Sequence, residues 1–267
     1  MIAFPNAKLN FGLNITAKRA DGYHNIDSIF LPIDWHDVLE IIPSDQFVFT
    51  SSGLPIPGDL SSNLCVKAYE LLKADFDLPP VKMHLHKVIP MGAGLGGGSS
   101  DGSFALKMLN DLFLLQLSQK QLEAYAKRLG ADCPFFIDNQ QKYVTGIGDL
   151  MEPVSVDLSG LTLVVVCPSI HVSTQTAFRG IVPNEPRHQL LKSATKPRES
   201  WRHEIKNDFE STVFTTHPAI QQVKKTLLSS GAVYAAMTGT GSAVFGFFEA
   251  EPKNLKFQDC HVWRQSL

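Results

Sequence analysis

The residue pattern reads as mixed strand and helix with one internal boundary, compatible with an α+β fold in two domains, and three observations carry that reading. Apolar and polar residues alternate over Lys8 to Ile15, and Ile26 to Asp34 and Val38 to Ile42 are further strand candidates, so the chain begins mostly as sheet. A glycine-rich run from Pro90 to Ser100 leads into Phe104, Leu106, Leu109 and Leu112, whose spacing is helical. Leu161 to Cys167 is an unbroken apolar run of the kind a buried strand needs. It follows Pro153 and Ser159-Gly160, which flank a weakly patterned segment and mark a boundary near residues 152–160. The expected domains are residues 1–156 and 157–267.

The remaining elements follow in order. Asp21-Gly22 is a turn between the first strands. Ser61-Ser62-Asn63 can cap a helix whose apolar face is Leu64, Ala68, Leu71 and Leu72. Val81, Met83 and Leu85 alternate with Lys82, His84 and His86, a half-buried strand whose two histidines read as a solvated face rather than a metal pair. Ser118 caps a helix that Gly130 ends, and Gln141 to Thr145 is a strand closed by the turn Gly146-Ile147-Gly148-Asp149. Arg187, Lys192, Lys196, Arg198 and Arg202 lie in a segment with little pattern; it reads as solvated surface and would also suit a diphosphate-bearing ligand. Pro218 to Leu228 is helical, and strands Tyr234 to Met237 and Ala243 to Phe248 flank a second glycine turn.

Composition excludes several classes. With 44% hydrophobic and 19% charged residues, the chain can bury a sizeable core. Lys and Arg total 24 against 26 Asp and Glu, which gives no footprint for nucleic acid or a membrane surface. No apolar run reaches the roughly 18 residues of a membrane span, and the Met-Ile-Ala-Phe-Pro-Asn start lacks the pattern of a signal peptide, so a cytoplasmic protein is expected. Cys65, Cys133, Cys167 and Cys260 form no C-x-x-C pair and read as reduced thiols.

Pro90-Met91-Gly92-Ala93-Gly94-Leu95-Gly96-Gly97-Gly98-Ser99-Ser100 is the most informative stretch. Its glycines let backbone N–H groups approach an anion, and the helix that follows adds a partial positive charge of about half a unit. A P-loop would need Gly-Lys followed by Ser or Thr, and no Lys follows these glycines. Gly92, Gly94 and Gly97 do satisfy G-x-G-x-x-G, but a dinucleotide fold wants that motif in its first β-α turn with an acid at a strand end about 20 residues on. Here Pro90 stands at the entrance, and Glu123 falls within a helical pattern. Two further clusters stand out. Lys8 and Asn10, two apart on a strand, face one side, and Asp132 lies in Gly130-Ala131-Asp132-Cys133-Pro134. Taken singly, Lys8 reads as a surface charge and Asp132 as a helix N-cap.

Taken together, Pro5-Asn6-Ala7-Lys8-Leu9-Asn10, the Pro90 to Ser100 run and Met237-Thr238-Gly239-Thr240-Gly241-Ser242 resemble the three ordered motifs of the GHMP small-molecule kinases. Arg19-Ala20-Asp21-Gly22-Tyr23-His24, Gly130 to Pro134 and Val172-Ser173-Thr174 narrow the resemblance to members whose small-molecule substrate carries a cytidine diphosphate group. It spans Pro5 to Phe248.

The resemblance implies a two-domain α+β GHMP kinase fold, with the active site in the cleft between domains, and ATP as co-substrate with Mg²⁺. Asp132 matches the general base, Lys8 the catalytic lysine and Asn10 a substrate-positioning residue. Pro90 to Ser100 match the triphosphate loop, with Ser99 or Ser100 near Mg²⁺, and Gly239, Thr240 and Gly241 lie near phosphate. Tyr23 and Phe178 match aromatics that sandwich cytosine, and His24 the residue that binds its edge; Phe30 and Thr174 match further substrate-pocket positions. Asn63, Leu64 and Lys87 match positions around adenine. The chain departs from the pattern at Asn6, which separates Pro5 from Ala7-Lys8, at Asp101, where Asn is common and whose role stays open, and at Thr238 and Thr240, which replace serines. The resemblance implies no nucleic-acid or membrane partner and allows a homodimer. The nearest alternative is a family member acting on another small alcohol of homoserine or mevalonate type, and an alternative of another class is a dinucleotide-binding oxidoreductase.

Overall fold

The computed structural model describes residues 1–183 and 189–267, so Arg187 of the basic segment lies outside the described residues. The chain forms two compact units from alternating stretches. Met1–Lys8, Pro32–Met91 and Gly96–Gln140 make the first, and Leu9–Leu31, Gly92–Leu95 and Gln141–Leu267 the second. After β1 (Ile2–Ala3), the long strands β2 (Asn6–Lys18) and β3 (His24–His36) therefore each supply residues to both units, as does the glycine run.

The first unit continues through β4 (Val38–Pro43), β5 (Val48–Gly53), α1 (Leu64–Asp75), β6 (Val81–Lys87), α2 (Gly97–Leu112), α3 (Gln119–Leu129) and α4 (Phe135–Asp138). Its sheet runs β1-β4-β6-β5, with β5 parallel to β6 and the other pairs antiparallel. The apolar face of β6 buries Val81, Met83 and Leu85 among Leu39, Tyr69, Leu72, Leu106 and Leu109. Asn63 caps α1 by accepting from the Cys65 N–H at 2.9 Å, and Ser118 caps α3 in a reciprocal box with Gln121. His84 and His86 hydrogen-bond to Thr50 and Ser52 across the β5–β6 pair at 2.8–2.9 Å, the polar face expected of them.

In the second unit come β7 (Lys142–Thr145), β8 (Leu150–Pro153), β9 (Thr162–Pro168), α5 (Thr174–Arg179), α6 (Leu190–Ala194), α7 (Arg198–Glu204), α8 (Phe209–Thr216), α9 (Pro218–Ser229), β10 (Tyr234–Met237), β11 (Val244–Phe248) and β12 (Cys260–Ser266). One sheet is ordered β10-β11-β9-β12 and antiparallel throughout; another is ordered β2-β3-β7-β8. Val164, Val166, Val244 and Met237 pack there against Phe209, Val213, Ile220 and Leu227.

The basic segment departs from its reading as unpatterned surface. Its described part folds into α6 and α7, and Trp201 of α7 is buried against Phe11 with ring centroids 4.9 Å apart. Lys196 pairs with Glu204 at 2.7 Å, and the Arg198 guanidinium donates to the Ser159 carbonyl at 2.9 Å, so these cations tie the unit together. Cys65, Cys133 and Cys167 are buried, and all four cysteines are free thiols. No helix among the described residues is long and apolar enough to cross a membrane.

Candidate active site

In the first unit, Lys8 lies in the buried stretch of β2, and its ammonium lies 3.4 Å from the Asp132 carboxylate. The Lys8 side chain is 4% exposed and that of Asp132 34%, so a covered cation meets a carboxylate that solvent or a substrate can reach. Lys8 is therefore not the surface charge it resembles in isolation. The turn that carries Asp132 is held against α2. Ser103 Oγ lies 2.8 Å from the carbonyl oxygens of both Ser99 and Cys133, and burial pushes the Cys133 thiol up to about 11, leaving it a packing group.

The glycine loop passes directly beside this pair. Gly96 has φ +70°, and a Cβ there would come within 3.1 Å of the Lys8 Cγ and 3.0 Å of Phe136. Only glycine lets the backbone take this left-handed turn over the lysine stem. Helix α2 then begins at Gly97, with the Ser100 N–H donating to the Gly96 carbonyl at 2.9 Å. Gly98 has open space where a Cβ would stand, Ser99 is half-buried, and Ser100 Oγ is buried with no hydrogen-bond partner.

A cavity of about 130 Å³ lies nearby in the same unit, lined by Ile56, Asn63, Leu64, Met91, Gly98 and Asp101 among others. It brings together four residues, Asn63, Leu64, Met91 and Gly98, that the resemblance assigns to ATP. Lys87, assigned with them, is placed differently. Its side chain is 1% exposed, and its ammonium donates to Asp101 at 2.7 Å and to Asp37. Burial opposes the charge on Lys87, but Asp101 and Asp37 hold it above the ordinary lysine range. Burial lifts the Asp101 carboxyl to about 7 against the pull of Lys87.

In the second unit, the loop residues Gly92 to Leu95 meet the third motif. Asn10 donates its backbone N–H to Thr238 Oγ1 at 2.9 Å, and its side-chain oxygen accepts from the Gly239 N–H at 3.0 Å. Asn10 Nδ2 donates to Ser28 Oγ at 3.0 Å, and Thr238 Oγ1 is 3.2 Å from the Gly94 carbonyl. Asn10 thus braces the turn around Thr238. The Gly241 N–H donates to the Thr238 carbonyl at 3.0 Å, and Thr240 Oγ1 is 3.4 Å from Thr174 Oγ1.

The predicted base-binding residues also gather in this unit. Arg19 and Asp21 pair at 2.9 Å, and Asp21 accepts from the Tyr23 N–H at 3.1 Å, which fixes a turn presenting Tyr23 at 62% exposure. His24 stacks on Phe178, with centroids 4.9 Å apart and planes 28° from parallel, while Phe209 meets Phe178 edge-on. The ring parallel to Phe178 is thus His24 rather than Tyr23. Phe30 is buried at 1% exposure in β3.

A glycine loop at a helix N-terminus beside a buried lysine and a carboxylate is the equipment of a phosphate-handling enzyme. Residues 63–140 match the family described as GHMP kinases N terminal domain, and residues 190–259 match GHMP kinases C terminal. The chain belongs to the GHMP kinase family, which sets aside the dinucleotide-binding alternative.

Relatives narrow the comparison. A protein of Bacteroides fragilis named 4-diphosphocytidyl-2-C-methyl-D-erythritol kinase is 51% identical over 96% of this chain and 95% of its own length. A protein of the same name from Parabacteroides distasonis is 46% identical over all of both chains. Among solved structures, a 4-(cytidine 5'-diphospho)-2C-methyl-D-erythritol kinase superposes with a TM-score of 0.79 at 29% identity, covering 94% of this chain and 91% of its own.

Proposed function

We propose that this chain transfers the γ-phosphoryl group of ATP to the 2-hydroxyl of 4-diphosphocytidyl-2-C-methyl-D-erythritol, giving the 2-phosphate and ADP. The reaction belongs to the non-mevalonate (methylerythritol phosphate) route to isopentenyl diphosphate, in the cytoplasm. The observation that carries this reading is the Lys8–Asp132 pair at 3.4 Å beside the glycine loop. Asp132 accepts the proton of the 2-hydroxyl as that oxygen bonds to the γ-phosphorus and the bond to the ADP oxygen breaks. Lys8 offsets the charge that develops on the reacting oxygens. The loop N–H groups and the start of α2 hold the triphosphate, and the cavity beside Asn63 and Leu64 takes the adenine.

The donor set at α2 fits Mg²⁺ bound mainly through the nucleotide. Ser99 and Ser100 offer hydroxyls in its first turn, and Ser100 Oγ has no other partner. When bound, the ion would neutralise charge between the β- and γ-phosphates.

Tyr23, His24 and Phe178 would read the cytidine end, with aromatic faces for stacking and the imidazole for the polar edge. Stacking on an aromatic contributes about 1–3 kcal/mol per base, so Phe178→Ala is expected to raise KM for the cytidyl substrate by about 5- to 150-fold and leave KM for ATP unchanged. Steady-state kinetics with each substrate varied checks this.

Thermal denaturation with ligands tests the reading as a whole. Mg-ATP and cytidine diphosphate should each raise the melting temperature, because each binds the folded state alone. Stabilisation by NAD(P) with none by either nucleotide would overturn it.

A further inference from the structure

Lys87, Asp37 and Asp101 are buried together beneath the glycine loop, with exposures of 1%, 0% and 3%. Each holds a different part of the loop's surroundings. Asp37 Oδ1 accepts from the backbone N–H groups of Val88 at 2.6 Å and Ile89 at 2.9 Å, the last two residues before Pro90. Asp37 Oδ2 takes the Lys87 ammonium, which also donates to Asp101 at 2.7 Å. Asp101 stands in α2, four residues after Gly97, and the Lys87 Nζ lies only 3.0 Å from where a Cβ on Gly97 would stand. The chain entering the loop and the helix leaving it are therefore joined through one ammonium. Between them, Gly92, Gly94 and Gly96 all have positive φ, the conformations with the most freedom to lose.

We infer that the Asp37–Lys87–Asp101 triad is a positioning device that pre-sets the glycine loop for a triphosphate. The inference rests on the reading of that loop as the ATP site. None of the three is a catalytic residue; they act by fixing the backbone N–H groups that would meet phosphate oxygens, so that ordering is complete before the ligand arrives. The triad thus contributes chiefly to triphosphate affinity, while the nucleoside is held by the neighbouring cavity, whose wall Asp101 shares.

Asp101→Ala cuts the tie to α2 and leaves a balanced Lys87–Asp37 pair, whereas Asp101→Asn keeps an oxygen for Lys87 to bond. Binding is read by calorimetry with ATP and with adenosine as separate probes. Asp101 also lines the cavity read as the nucleoside site, so the effect is read as a ratio: for Asp101→Ala, ATP affinity is expected to fall about tenfold more than adenosine affinity, the loss of a charge-assisted contact. Asp101→Asn should restore ATP affinity to within about threefold. Asp101→Ser, too short to reach the ammonium, repeats the alanine result if Asp101→Ala does not fold. Equal losses of ATP and adenosine, or an ATP affinity unchanged in Asp101→Ala or Asp101→Ser, overturn the inference. Wild-type protein that binds no ATP overturns the ATP-site reading instead.

Discussion

Asp132→Asn is expected to lower kcat by about 10²–10⁴, the range for loss of a general base, while ATP binding stays near wild type. Asn keeps the shape and a hydrogen-bonding oxygen of the side chain but cannot take a proton at neutral pH. The Asp132 side chain is one-third exposed and Asn keeps an oxygen facing the covered Lys8 ammonium, so the variant should fold. The glycine loop does not depend on the Asp132 carboxylate for its conformation. Gly96 is fixed by Phe136 and the Lys8 stem, and α2 by Ser103 and the triad below it. Rate and binding should therefore separate. A kcat within a few-fold of wild type would remove Asp132 from the role of base.

Gly94→Ala should have the largest effect on stability. Gly94 has φ +79°, and a Cβ there would stand 2.1 Å from the Thr238 carbonyl oxygen and 2.9 Å from its carbon. Both are backbone atoms, and the Thr238 hydroxyl and Gly239 N–H are already held by Asn10, so the third motif has no slack. Left-handed strain and a backbone collision together should cost about 3 kcal/mol or more. At about 2–4 °C per kcal/mol for a chain of this size, the melting temperature should drop by about 6–12 °C. Gly98→Ala is the internal comparison, because nothing lies within 4 Å of its Cβ position and it sits in a helix. Its melting temperature should hold or rise slightly. Equal melting temperatures for the two variants would contradict the close approach of Gly94 to Thr238.

Much of this arrangement can be read from residue spacing, and the exceptions have physical causes. Strand β6 and helices α1, α3 and α9 follow from alternation or helical spacing, with Asn63 and Ser118 as caps. Helices α6 and α7 do not, since five and seven residues are too few to show an apolar stripe and the second is rich in charge. Lys8 reads as a surface charge because strand alternation implies one wet face, yet β2 is buried on both faces from Asn6 to Leu13. Burial on both sides is what turns Lys8 and Asn10 from solvated groups into parts of a site.

The triad shows the limit from the other side. Alternation along Val81, Met83 and Leu85 carries Lys87 to the buried face, so its need for a counter-charge is visible locally. Its partner Asp37 lies fifty residues away, between β3 and β4, and no local pattern links the two. For the same reason the motifs identify Tyr23, His24 and Phe178, but not which ring lies against Phe178.

Phosphoryl transfer itself is the most direct test. Purified protein is incubated with Mg-ATP and 4-diphosphocytidyl-2-C-methyl-D-erythritol, ADP release is followed by a coupled assay, and the product is analysed by phosphorus NMR. Stoichiometric ADP release with a new phosphomonoester on the 2-oxygen, and little turnover of mevalonate or homoserine, is the predicted result. No ADP release with the cytidyl substrate alongside turnover of mevalonate or homoserine would contradict it.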